Sequence, residues 1–135
     1  MEWEDHYDSL IVYWAERYGR DPRQVKRQIR IESDFYPRSR SPVGAEGLMQ
    51  FMPATWRDQA DPKDDPFDPE ASITAGCKYM KWLEGQLGSL PLALAAYNCG
   101  IGRVHAASGS LVALPKETQE YVTKCMNFEG EVLCA

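Results

Sequence analysis

A carboxyl group in phase with the apolar residues of a helix is a candidate proton donor, and Glu32 is placed that way. Val25 and Ile29 mark an apolar stripe, and Glu32 falls at its next position. Taking an ionised carboxyl out of water is costly unless it is paired or put to work. The pattern leaves two readings open: a buried salt bridge, or a functional acid. The chain then passes Phe35, Tyr36 and Pro37, enters a turn-rich loop over 38–46, and closes on the apolar run Gly47 to Met52 with its single amide, Gln50. One acid beside a structured loop suits general-acid chemistry.

Two more polar pairs stand out. Tyr97 and Asn98 end a helix that is otherwise almost wholly apolar, so they need partners. They could face a cleft, or Asn98 beside Cys99 and Gly100 could simply cap the helix. Glu117 and Tyr121 lie one turn apart on one face of the last helix. Glu117 can equally be a first-turn acid favoured by the helix dipole.

The elements that must position these residues are helices. Trp3, Tyr7, Leu10, Trp14 and Tyr18 recur at steps of three and four and predict a first helix, with Gly19 as its cap. Their aromatic stripe reads as core packing in preference to a ligand platform. Asp21 caps the second helix, Pro22 suits its first position, and Gln24 can close a capping box. Arg23, Lys26, Arg27 and Arg30 lie at other angles and are expected to stay solvated. Gly47 to Met52 reads as a short helix, and Pro53 opens another to about Gln59. The connection from Asp61 to Pro69 is acidic, and its three Asp-Pro pairs are turn chemistry. Asp68 caps a long helix from Pro69 that Gly88 stops; Gly76 inside it implies close approach by a neighbour. Helices at about Pro91 to Asn98, Gly102 to Ala107, and from near Pro115 through Cys125 and Phe128 complete the chain. Glu129 to Ala135 is expected to be a loosely held tail. No segment alternates like a strand, so the expected class is all-α, about seven helices.

The 135 residues fit one domain, 1–135, able to bury a sizeable core. The net charge of -5, from 15 Lys plus Arg against 20 Asp plus Glu, argues against nucleic acid as the partner. No apolar run is long enough for membrane insertion. The acidic start, Met1 to Asp8, lacks the apolar region of a secretory signal, so synthesis in the cytoplasm is expected. Cys77, Cys99, Cys125 and Cys134 form no Cys-x-x-Cys pair, and neither His6 nor His105 completes a ligand set. Asp61, Asp64, Asp65 and Asp68 lack the Gly and Glu of a calcium loop. No metal or cofactor is expected. Reduced thiols are the default, with Cys125 and Cys134 able to pair only in an oxidising compartment.

Four ordered blocks carry a family resemblance from about Asp21 to about Phe128. They are Ile31 to Phe35 with its Glu-Ser pair, Ser41 to Thr55 with Gly-Leu-Met-Gln, Leu94 to Gly100 continued by Gly102 to Val104, and Pro115 to Thr118 followed by Tyr121 and Val122. In this the chain resembles the catalytic domain of the soluble lytic transglycosylases, muramidases with a lysozyme-like fold related to goose-type lysozyme. The resemblance implies a sugar-binding cleft with Glu32 as the single catalytic acid and base. Ser33 would position the acid or the sugar. Gln50 and Met52 would line the cleft, with Met49 behind them. Tyr97 and Asn98 would contact substrate near the scissile bond. Glu117 and Tyr121 would face the same cleft, Tyr121 hydrogen-bonding near Glu32. Two positions depart from the family pattern: Cys99 stands where Ala is common, and Ser72 where Asn is common, which puts a structural hydrogen bond in question. The implied substrate is the peptidoglycan glycan strand, and the implied product a 1,6-anhydromuramoyl sugar. The alternatives are a hydrolytic goose-type lysozyme, with Glu46 or Asp34 as second carboxylate, and a non-catalytic wall-binding or virion structural protein. A monomer is expected, reaching the periplasmic wall as a phage lysis enzyme or virion component, or serving as a bacterial remodelling enzyme.

Overall fold

Seven α-helices carry the chain in the computed structural model, which describes residues 3–134. A 3-10 turn at Trp3–Asp5 leads into α1 (Asp8–Arg17) and α2 (Pro22–Ser33). The remaining helices are α3 (Pro53–Gln59), α4 (Pro69–Leu87), α5 (Leu90–Cys99), α6 (Ile101–Ala106) and α7 (Lys116–Met126), with a second 3-10 turn at Leu111–Ala113. Among the described residues the only β pairing is two isolated antiparallel bridges, Arg40 with Glu46 and Glu46 with Phe51. The all-α expectation therefore holds.

Local chemistry sets most boundaries. The Asp21 carboxylate accepts from Arg23 N at 2.9 Å and caps α2. Asp68 accepts from Ala71 N at 2.9 Å, and Ser89 from Leu92 N at 3.1 Å, at the starts of α4 and α5. Proline occupies the first turn of all three helices. Gly88 closes α4 in the left-handed conformation.

Helix α5 is the pivot. It packs against α4, α6 and α7, while α1 packs on α2 and α4, and α2 on α7. The burial forms two clusters. Ile11, Val25, Ile29, Phe35, Leu48 and Ile73 belong to one; Met80, Leu83, Leu94, Val104, Val122 and Cys125 to the other. Tyr79 and Tyr97 touch both, so they mark the seam.

Five expectations are corrected. Gly47 to Met52 is not a helix: it is a run of turns ending in the Phe51 bridge, and Gly47 and Gln50 both have positive φ, 85° and 52°. Gln24 forms no capping box, because its amide is buried and bonded to Arg20 and Gln28. The basic residues of α2 are not all solvated. Lys26 is 1% exposed, and its Nζ donates to Asp5 at 2.7 Å, Asp8 at 3.2 Å and Val132 O at 2.6 Å. Arg30 bonds Glu131 and Glu4. The tail, as far as Cys134, is therefore strapped down through Glu131, Val132 and the bond from Cys134 N to Asp8. The first stripe also splits: Tyr7, Leu10, Trp14 and Tyr18 join the core, but Trp3 sits on the 3-10 turn, 54% exposed.

Candidate active site

The cleft lies over the seam between the two clusters. One hollow of about 270 Å³ is lined by Gln50, Phe51, Met52, Tyr79, Tyr97 and Asn98, among others. A second, of about 290 Å³, shares Asn98 and Cys99 and adds Arg103, Glu117 and Thr118. The two hollows meet at Asn98 and Cys99, between the Gln50 loop and the start of α7.

Its wall at Gln50 is pinned from behind. Met49 N donates to Ser72 Oγ of α4 at 3.1 Å, and Met49 O accepts from the Tyr97 hydroxyl of α5 at 2.7 Å. Ser72 thus makes the hydrogen bond that its departure from the family pattern put in question. The Met49 side chain fills the space that Gly76 leaves: a Cβ built at Gly76 would lie 2.5 Å from Met49 Cε. The close approach read from Gly76 is this contact. Met49, expected behind the cleft lining, is 1% exposed and supports the loop from inside. Gln50 ties the loop to itself, its Nε2 donating to Gly47 O at 2.9 Å and Ser39 O at 3.1 Å, which leaves Oε1 free to accept. Met52 is exposed at the rim.

Glu32 sits in the last turn of α2, and the chain leaves it through two left-handed residues, Asp34 (φ 50°) and Phe35 (φ 64°). The carboxyl is only partly covered at its surface, yet it is ringed by protein. Its one hydrogen bond among the described residues is at Oε2, which accepts from the Tyr121 hydroxyl at 2.6 Å. No cation pairs with it among the described residues, so the salt-bridge reading falls away. Burial pushes its pKa up to about 7, and the Tyr121 bond works in the opposite direction. The negative end of the α2 dipole adds to the upward push. A carboxyl so placed is protonated in a large fraction of molecules near neutral pH and gives its proton up readily, which suits one group acting as acid and then as base.

The other expected residues take these positions. Asn98 is exposed at the end of α5, lines both hollows, and its Oδ1 accepts from Thr118 Oγ1 at 2.9 Å. Glu117 is exposed in the groove, one turn before Tyr121. Ser33 Oγ donates back to Ile29 O at 3.2 Å, in α2 itself. Asp34 is exposed at the α2 C-cap. Glu46 lies 4.0 Å from Arg40 and lines a different hollow, beside Trp56 and Pro66. Asp5, Asp8 and Cys134 bring ligand-type atoms within 4.8 Å of one another, but Lys26 Nζ bonds both carboxylates and answers for the cluster. The cysteines are unpaired, with Cys77 and Cys125 buried. Sequence reasoning missed Tyr79, Thr118 and, above all, Gln28, whose amide donates to Tyr121 Oη at 3.1 Å. The i, i+4 spacing of Gln24, Gln28 and Glu32 was the available signal.

Seven helices around a groove at the end of α5, with a carboxyl of raised pKa at the end of α2, define a lysozyme-like, all-α fold class. The model of the transglycosylase SLT domain matches residues 9–119, and the chain belongs to that family. Among its relatives, the soluble lytic murein transglycosylase of Escherichia coli (strain K12) is 38% identical over 90 residues, 60% of this chain and 14% of the relative. The transglycosylase of Enterobacteria phage PRD1 is 35% identical over 89 residues, 66% of this chain and 33% of the relative. The crystal structure of the 70 kDa soluble lytic transglycosylase from Escherichia coli superposes with a TM-score of 0.78 at 30% identity, over 90% of this chain and 23% of that one. The chain therefore spans a third or less of the length of these relatives.

Proposed function

We propose that this chain is a peptidoglycan lytic transglycosylase that cleaves the β-1,4 bond between N-acetylmuramic acid and N-acetylglucosamine. The observation that carries the reading is Glu32: a carboxyl near pKa 7 that, among the described residues, has a phenol as its hydrogen-bond partner and no cation. The protonated carboxyl gives its proton to the glycosidic oxygen as the C1–O4 bond breaks. The carbonyl oxygen of the sugar's own N-acetyl group bonds to C1 and holds the developing charge. The muramoyl 6-hydroxyl then attacks C1, displaces that oxygen and returns its proton to Glu32. The product is the 1,6-anhydro sugar, and no water is consumed. Because Oε2 is engaged by Tyr121, Oε1 is the oxygen that carries the moving proton. Gln50, Met52, Tyr97, Asn98 and Glu117 are the side chains offered to the glycan, which the domain, 1–135, handles as a monomer.

Hydrolysis by the same acid is the second reading. It needs a carboxylate to hold water, and the engagement of Glu46 beside Arg40 and the position of Asp34 at a helix cap speak against both sequence candidates. Mass spectrometry of digested peptidoglycan separates the two: anhydromuramoyl ends are expected, and reducing muramic acid ends would overturn the reading. Among the described residues no helix is long and apolar enough to cross a membrane. With relatives in both a bacterium and a phage, the wall-facing role extends to phage lysis, virion entry or bacterial remodelling.

A further inference from the structure

Behind Glu32 runs a line of buried polar side chains. Arg20 Nη2 donates to Gln24 Oε1 at 2.9 Å, Gln24 Nε2 to Gln28 Oε1 at 2.9 Å, and Gln28 Nε2 to Tyr121 Oη at 3.1 Å. The Tyr121 hydroxyl then donates to Glu32 Oε2 at 2.6 Å. Gln24 and Gln28 are each 1% exposed or less. Three polar residues at 24, 28 and 32 thus share one inward line of α2, on a face where apolar side chains would pack at lower cost.

Every bond in this line points the same way, from a guanidinium toward the carboxyl. The direction is forced at Tyr121. A phenol has one proton, and accepting from an amide at Oη leaves that proton to be aimed at Glu32. Chains of aligned hydrogen bonds polarise one another, so each donor strengthens the next. We propose that Gln28, backed by Gln24 and Arg20, is a positioning residue that locks the Tyr121 hydroxyl onto Glu32 Oε2 and so holds the carboxyl's orientation and proton affinity. The inference rests on the reading of Glu32 as the proton-transferring group.

The other groups facing Glu32 do not supply this control. Tyr97 from α5 and Cys125 from α7 are both pushed up by burial, so they stay neutral. Cys77 of α4, beyond Tyr97, is neutral for the same reason. Arg27 and Lys124 lie past Cys125, with Arg27 Nε bonded to Lys124 O at 2.8 Å. Arg20 is held at the far end by Glu84 at 3.1 Å.

The test replaces Gln28 by Leu and, separately, by Met, which keeps the unbranched length. Each purified full chain is read twice: by carbon-13 NMR titration of the Glu32 carboxyl, and by the pH dependence of anhydro-sugar release from soluble glycan strands. Losing the bond weakens the donor to the ionised carboxyl, so the Glu32 titration moves up by about half a unit or more. The alkaline limb of the rate profile moves with it, kcat falls about three- to tenfold, and KM holds. In a Tyr121→Phe background the Gln28→Met change produces no further move, because its effect passes through that hydroxyl. A titration and an alkaline limb unmoved in the folded Gln28 variant overturn the proposal and leave a packing role. A further move in the Tyr121→Phe background also overturns it. The NMR titration needs no turnover: a shifted titration in a chain that never releases anhydro sugar would sink the proposed reaction and still support the hydrogen-bond line.

Discussion

Two ionisable side chains six residues apart on α2, Lys26 and Glu32, are treated in opposite ways. Lys26 is wrapped by two carboxylates and a backbone carbonyl, with no face left to water. Glu32 has one phenolic hydroxyl and, among the described residues, no counter-charge. The same helix therefore compensates one charge fully and leaves the other exposed to the cost of desolvation. A compensated charge is fixed in its protonation state and serves architecture: Lys26 ties the N-terminal turn, α1 and the C-terminal strap to α2. An uncompensated carboxyl is left near its switching point, which is useless for architecture and useful for moving a proton.

Breaking each charge should break different things. Glu32→Gln should lower anhydro-sugar release by about 10³-fold, the scale of a lost general acid and base, with the circular dichroism spectrum unchanged. Lys26→Met should leave Asp5 and Asp8 facing each other without a cation and cost about 3–5 kcal/mol in denaturant unfolding. Turnover per folded molecule should then change less than twofold. A Lys26 variant that folds well but turns over poorly would break the division between the two sites.

Smaller changes sharpen the comparison by touching the groove wall and neither charge. Gly76→Ala places a methyl against Met49 and should cost about 1–3 kcal/mol by overpacking. Because the Gln50 loop must shift, KM should rise more than kcat falls. Ser72→Ala removes the acceptor of Met49 N and should cost about 1–2 kcal/mol in thermal or chemical unfolding.

Helical phase carried much of this molecule. The bounds of α3 and α4 followed from Pro53, Asp68, Pro69 and Gly88, because proline and capping chemistry act within one turn. The apolar phase of Glu32 was also legible. What could not be read were bonds between residues far apart in the chain. Lys26 and Arg30 looked solvated because their partners, Asp5, Asp8, Glu4 and Glu131, are about 20 to 100 residues away, as the bonds themselves show. Gln24 was read for a local capping role while its amide serves a line that ends on α7. Gly47 to Met52 reads as a short helix, but Gly47 and Gln50, both at positive φ, turn it instead.

The difference between the two charges can be weighed directly by comparing the unfolding free energy of Glu32→Gln and the parent chain across pH. Between the ordinary carboxyl value of 4.5 and about 7, the folded state keeps a proton that the unfolded state has released. The parent chain should therefore lose stability as pH rises through that window and level off above it. The Gln variant carries no such penalty. At pH 8 it should be more stable than the parent by about 2 kcal/mol, a figure discounted for the carboxyl's partial contact with water, and the gap should close below pH 4.5. A Gln variant equal to or weaker than the parent at pH 8 would show that Glu32 is compensated as Lys26 is, and that its carboxyl is not held at the switching point.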